Sequence, residues 1–215
     1  MPVPASAKRK NDPEGLKKRI LAGALPIFAE FGLQGARLEQ IAERAETTKR
    51  MVVYHFSNKE NLYMQVLEAV YQAIRTHEAS LDLADLPPEM AMARLAEASF
   101  DYHLSHPDFL RLVCSENLMR GRYISQSTRI KAVNQSALAI LEDILLRGKA
   151  DGVFNPVVEA VDVHRLISSI CTHNVANRYT FNTLFGDGES EQQNIVRNRR
   201  LVVEATLCYL RPAAP

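Results

Sequence analysis

The chain has no tryptophan and only three cysteines among its 215 residues. Cys114, Cys171 and Cys208 are odd in number and far apart. They frame neither a disulfide scaffold nor a zinc knuckle, and read as free, mostly buried thiols in a reducing compartment, the cytoplasm. No apolar run is long enough to cross a bilayer, so no membrane association is expected. Lys8, Arg9 and Lys10 are followed by no apolar stretch, so no secretory leader is expected either. No segment alternates apolar and polar residues with a period of two, which excludes strands as a main element. Internal repeats and long low-complexity segments are absent. His77, His103, His106, His164 and His173 fall in no metal-ligand spacing, and the His103/His106 pair lacks a third ligand nearby. No Cys/His or Ser/His/Asp order sits in a supporting motif such as a nucleophile elbow. Neither catalysis, a metal nor a cofactor is expected.

What is present is helical periodicity and a charge asymmetry. The formal net charge is +1. Residues 1–60 carry 11 Lys/Arg against 7 Asp/Glu, a net +4, and the remaining 155 residues carry 15 against 18, a net −3. A basic leading portion beside an acidic remainder suits a nucleic-acid-binding domain joined to one that leaves nucleic acid alone. The pattern predicts an all-α chain of about nine helices in three parts. These are an arm at 1–10, a three-helix domain at 11–60 and a larger helical bundle at 61–215. The arm is either an inert tail or a source of backbone phosphate contacts from Lys8, Arg9 and Lys10. Asp12 and Pro13 start the first helix as N-cap and first residue, and Gly32 ends it. Pro26 lies inside this helix, where a kink is expected, eased by Gly23. The bundle is predicted as helices at about 58–80, 88–105, 107–119, 125–150, 159–184 and 189–210. Asp151-Gly152 and Gly186-Asp187-Gly188 mark turns.

The stretch Leu38–Leu62 organises the first portion. Leu38, Ile41, Ala42 and Ala45 make one helical apolar face, Glu46-Thr47-Thr48 interrupts it, and Lys49–Phe56 reads as a second short helix. Ser57 followed by Glu60 has the spacing of a capping box for the next helix. Two short helices and a turn, with Thr, Lys, Arg, Tyr and His on the second, fit a helix-turn-helix motif. Phe28-Ala29-Glu30-Phe31-Gly32, Leu38-Glu39-Gln40-Ile41-Ala42 and Val53-Tyr54-His55-Phe56-Ser57-Asn58-Lys59-Glu60-Asn61-Leu62 together resemble the DNA-binding domain of the TetR family of bacterial transcriptional regulators. The resemblance implies that Thr48, Lys49, Arg50 and Met51 start the recognition helix. Arg50 would face a guanine edge and Met51 a thymine methyl. Tyr54, His55 and Lys59 would hold phosphates, with Arg37 and Arg44 assisting. For His55 the alternative is a packed ring bonded to backbone, and for Arg44 a solvated charge. The chain departs from the family pattern at Ala36, Val53 and Glu46, the last standing where a small residue or glycine is frequent, so no relative's operator preference carries over.

For the larger portion the resemblance implies a homodimer through the last two helices, a palindromic double-stranded operator and a cavity for a small-molecule effector. The protein would be a ligand-responsive regulator, most readily a repressor. The alternative is an effector-independent DNA-binding or scaffolding protein whose bundle is filled by side chains. The run from His106 to Tyr123 is similar to the subgroup containing the pyrimidine-responsive regulator of uracil breakdown. Its ring-holding tryptophans have no counterpart here, so uracil is not expected. A polar stripe of His173, Asn174, Asn177, Arg178 and Phe181 either faces the cavity or pairs at the dimer surface. Tyr102, His103, Cys114 and Asn117 are further effector-contact candidates.

Overall fold

The computed structural model describes residues 12–186, 188 and 190–212. The basic arm with Lys8, Arg9 and Lys10, and Asp187 of the predicted Gly-Asp-Gly turn, lie outside the described residues. Ten α-helices and one 3-10 turn, with no strand, make up the described residues: α1 Pro13–Gly35, α2 Leu38–Arg44, α3 Lys49–Phe56, α4 Lys59–Ala79, α5 Pro88–Ser105, α6 Pro107–Leu118, the turn Ile124–Gln126, α7 Thr128–Ala150, α8 Ala160–Ala176, α9 Arg178–Phe185 and α10 Glu191–Leu210. No helix among them is long and apolar enough to cross a membrane. Two compact units divide between Val66 and Leu67, within α4.

In the first unit the expected start of α1 is present: the Asp12 carboxylate accepts the Gly15 amide at 2.8 Å, with Pro13 in the first turn. The expected kink at Pro26 is not. The backbone stays helical through it and departs only at Gly32, with φ 63° and ψ 177°. That left-handed value suits a residue without a Cβ, and it turns the chain toward α2. Gly23 does not relieve strain but admits a neighbour, because a Cβ there would come 3.3 Å from the Ala45 amide nitrogen. The core is Ile20, Phe28, Ile41, Val52, Phe56 and Tyr63, with the Phe28 and Tyr63 rings edge to face at 5.1 Å. Burying each such side chain contributes about 1.5–3 kcal/mol.

In the second unit α5, α7, α8 and α10 supply most of the core, including Met92, Phe100, Leu141, Ile144, Val163 and Val202. The Arg199 guanidinium of α10 donates to Asp101 of α5 from Nε at 2.9 Å. The Arg147 guanidinium reaches the carbonyls of Leu83 and Leu86 and so ties down the loop before α5. Two predicted boundaries move. The seventh helix starts at Thr128, because the Ser127 hydroxyl accepts the Ile130 amide at 3.1 Å and caps it there. The single helix predicted over 159–184 is two, α8 and α9, separated at Asn177 (φ −96°, ψ 2°).

Candidate DNA-reading face and effector cavities

The turn between α2 and α3 closes by two backbone bonds, from the Thr47 amide to the Ala42 carbonyl at 2.9 Å and from the Glu46 amide to the Glu43 carbonyl at 3.0 Å. This is a Schellman closure, whose penultimate residue must adopt a left-handed conformation. Glu46 does so with φ 51°. The position at which glycine is frequent in the resembling family is therefore a position that favours glycine sterically, and here a glutamate takes it. The Thr48 hydroxyl then accepts the Met51 amide at 3.3 Å and starts α3. Val52 and Phe56 anchor the inner face of this helix.

The outer face of α3 presents Lys49, Arg50 and Tyr54, the last 77% exposed. Arg50 makes no ion pair with a described residue, and its guanidinium is open to solvent. Lys49 is paired with Glu39 at 2.7 Å, and that contact holds the Glu39 carboxyl below its usual range. Met51 is half-buried at the edge of the face, and Arg37, at the N-cap of the flanking α2, and Arg44, at its end, are exposed.

Two expected contacts change. Lys59 turns inward: its ammonium donates to the carbonyls of Ala36 at 3.0 Å and Gln34 at 3.3 Å, closing the α1–α2 connection onto the start of α4. Lys59 is thus a structural cation, with two of its three protons used inside the domain. His55 packs its ring edge to face with Tyr54 at 5.2 Å, and its Nε2 is buried without a partner among the described residues, which withdraws that nitrogen from a phosphate. Ser57 does not cap α4. It sits at φ 65° as the end of α3, and the Asn58 carboxamide oxygen takes the Asn61 amide at 2.7 Å instead.

Two of the cavities in the second unit are lined by predicted effector-contact residues. The outer one, about 930 Å³, opens among α8, α9 and α10 and is lined by His173, Asn174, Arg178 and Phe181 of the predicted stripe, with Glu191 and Leu201 opposite. The inner one, about 330 Å³, lies among α4 to α8 and contains His103 from the predicted set. Tyr102, Cys114, Asn117 and Asn177 line neither. Tyr102 is buried with its ring stacked on His106 at 4.0 Å. On α6, Leu110 and Val113 face the inner cavity, which turns Cys114 and Asn117 outward; Cys208 is exposed as well, so of the three thiols expected to be mostly buried only Cys171 is. The Asn117 amide is spent on the Val113 carbonyl at 2.9 Å. Asn177 is exposed at the end of α8.

Sequence reasoning missed the polar group of the inner cavity. Arg75 and Glu78 of α4 are each 7% exposed and share a 2.6 Å contact between Nη1 and Oε2, while the Arg75 Nε is buried with no partner among the described residues. Burial pushes the Glu78 carboxyl up, with Arg75 pulling it back. His103 donates from Nδ1 to the Ser99 carbonyl at 2.6 Å, and burial holds its ring below the ordinary imidazole value. His164 is lowered for the same first reason, reinforced by the Arg75 charge. Both rings are neutral near pH 7, which leaves Arg75 the one cation lining the cavity. The signal was in the spacing. Tyr71, Ile74, Arg75 and Glu78 share one face of α4, and His164, Ser168 and Thr172 recur every four residues on α8.

Two family models match the chain: bacterial regulatory proteins of the tetR family over residues 20–66, and the tetracyclin repressor-like C-terminal domain over residues 88–206. The HTH-type transcriptional repressor NicS of Pseudomonas putida is 32% identical over 187 residues, 86% of this chain and 87% of that protein. The HTH-type transcriptional regulator RutR of Escherichia coli is 34% identical over 116 residues, 54% of each chain. The crystal structure of the transcriptional regulator SCO4942 from Streptomyces coelicolor superposes with a TM-score of 0.65 at 26% identity, covering 91% of this chain and 98% of that one. With both its helix-turn-helix unit and its helical C-terminal unit matched, this chain belongs to the TetR family of bacterial regulators, DNA-binding proteins and not enzymes.

Proposed function

We propose that the protein is a cytoplasmic repressor that reads a palindromic operator as a homodimer and is released by a small-molecule effector bound in the inner cavity. The observation that carries this reading is α3. It is capped at Thr48, anchored by Val52 and Phe56, and presents Arg50 and Tyr54 to solvent, the arrangement a major-groove helix needs. Arg50 reads a base edge, Met51 contributes an apolar edge, Tyr54 with Lys49, Arg37 and Arg44 engages the backbone, and Lys59 and His55 support the face from inside. The two-fold partner is seated on α8, α9 and α10, whose Tyr179, Phe181, Leu184 and Leu201 are large, apolar and exposed in one copy. Relief of repression requires that the effector bind the DNA-incompetent state more tightly than the competent one. The inner cavity speaks for an effector and against a bundle filled by side chains.

The test is binding of the purified protein to the DNA upstream of its own gene, titrated against salt with a scrambled competitor. Tight binding that resists the competitor, with affinity falling steeply as salt rises, is expected. Equal weak binding to both DNAs would sink the site-specific reading.

A further inference from the structure

We infer that the inner cavity takes an uncharged, ring-sized ligand that donates a hydrogen bond from an N–H or O–H group to His103 Nε2. The inference rests on the reading of this cavity as the effector site and adds the chemical class of the ligand. His103 lines the cavity from α5 and is 7% exposed. Its Nδ1 lies 2.6 Å from the Ser99 carbonyl oxygen, which can only accept, so the ring proton sits on Nδ1. Burial opposes a second proton. Nε2 is left with its lone pair, and no described residue donates to it. In contrast to the sealed Arg75 Nε, this nitrogen keeps accessible surface, and the small accessible part of the residue is the part that lines the cavity. The ring stands edge to face with Phe109, another wall of the same space, at 5.7 Å.

The balance of charges sets the ligand's charge. Arg75 and Glu78 share a 2.6 Å contact and cancel, and burial holds His103 and His164 neutral. The walls carry no net charge, so an ion of either sign would give up its water with no counter-charge to meet it. Asn134 of α7 adds a second acceptor of fixed role. Its amide nitrogen donates to the Ile130 carbonyl at 2.8 Å, which leaves the carboxamide oxygen without a donor among the described residues. Tyr71 and Thr172 contribute hydroxyls, which serve in either role. A ligand that carries only acceptors would leave His103 Nε2 unmet, at the cost of a buried polar group without its bond. The remaining walls set the body: Ile74, Leu95, Phe109, Ile130, Leu141 and Ile167 are apolar. The volume of about 330 Å³ lies at the low end for small-molecule pockets, enough for a single or fused ring and short substituents.

The test is calorimetric titration and thermal shift of the full-length protein with indole, 4-methylphenol and cyclohexanol. Each is paired with a molecule of similar shape that lacks the donor: indene, 4-fluorotoluene and fluorocyclohexane. The ions 4-methylbenzoate and 4-methylbenzylammonium complete the panel. At least one donor should raise the melting temperature and bind about tenfold or more tighter than its isostere and than either ion. His103→Phe and His103→Met each remove the acceptor and should abolish that preference. Arg178→Gln, in the outer cavity, should keep it. In the parent protein labelled at histidine, the His103 Nε2 resonance should be that of an unprotonated nitrogen and should move upfield with the donor but not with the isostere. That measurement needs no substitution and decides the matter if neither His103 variant folds. The inference is overturned if no donor of the panel stabilises the protein, if donor and isostere bind alike, or if an ion binds more tightly. It is equally overturned if the preference survives in a folded His103 variant or vanishes in Arg178→Gln, or if the Nε2 resonance stays in place. Operator binding by the unliganded protein separates the two claims. Specific DNA binding without donor binding removes only this ligand class, whereas failure to bind DNA removes the regulator reading.

Discussion

At the scale of single residues, two side chains in the DNA-reading unit carry more structural work than their types suggest. Glu46 holds a left-handed backbone inside a Schellman closure, a conformation that costs a non-glycine residue about 1–2 kcal/mol. Glu46→Gly should therefore raise stability by about 0.5–1 kcal/mol after the loss of the interaction the glutamate makes, visible as a rise of roughly 1–4 °C in Tm. An unchanged or lower Tm would show that this interaction outweighs the strain. Lys59 satisfies two backbone carbonyls at the α1–α2 connection. Lys59→Met keeps the stem and removes the donor, and should lower unfolding free energy by about 1–2 kcal/mol in urea titration. A purely phosphate-binding lysine would leave the urea midpoint in place and change only the affinity for DNA and its salt slope.

At the scale of elements, the division of labour lies between α3 and the two faces of α8. Arg50 stands on the exposed side of α3 without an internal partner, so Arg50→Ala should leave Tm within experimental error. It should cost about 1–3 kcal/mol of operator affinity, concentrated at one base pair, when a panel of single-base operator variants is titrated. A uniform loss over the whole panel would reassign Arg50 to the phosphates. On α8, Ser168 and Thr172 look into the inner cavity, whereas His173 and Asn174 look into the outer one. A helix advances about 100° per residue. One step along the chain thus moves a side chain from one cavity to the other.

At the scale of the whole molecule, buried imidazoles link stability to pH. Burial lowers His103 and His164 from the ordinary value of 6.5, so below that value the unfolded chain binds protons that the folded chain does not. Their contribution is complete above pH 6.5 and is lost as pH falls toward the folded values. Glu78 acts in the opposite sense: it is raised from 4.5, so its contribution is full below that value and declines as pH rises through the window above it. On acidification below pH 6.5 the two histidines should lower Tm, with Glu78 acting against them. His164→Asn should flatten that fall. A profile that is flat in the parent protein, or equally steep in the variant, would count against neutral buried rings.

The sequence by itself determined the all-α fold, most helix ends and the helix-turn-helix. Each of these is written in local terms: apolar residues every three or four positions, Asp12-Pro13 and Thr48 at helix starts, a break at His106-Pro107. Arg50 and Tyr54 were legible for the same reason, since a short helix with two anchors leaves little choice of outward face. Tertiary structure decided where polar side chains end. Whether a cation meets solvent or a carbonyl depends on a partner distant in sequence, as with Lys59 and the carbonyls of Gln34 and Ala36. The break at Asn177 separated one predicted stripe into two helices, and the register of α6 sent Cys114 and Asn117 outward. The pairing of Arg75 with Glu78 against two neutral histidines needed five helices, α4 to α8, to meet around one space. A charged pair on an apolar stripe is visible in a sequence, but its burial, and hence its meaning, exists only once the walls are in place.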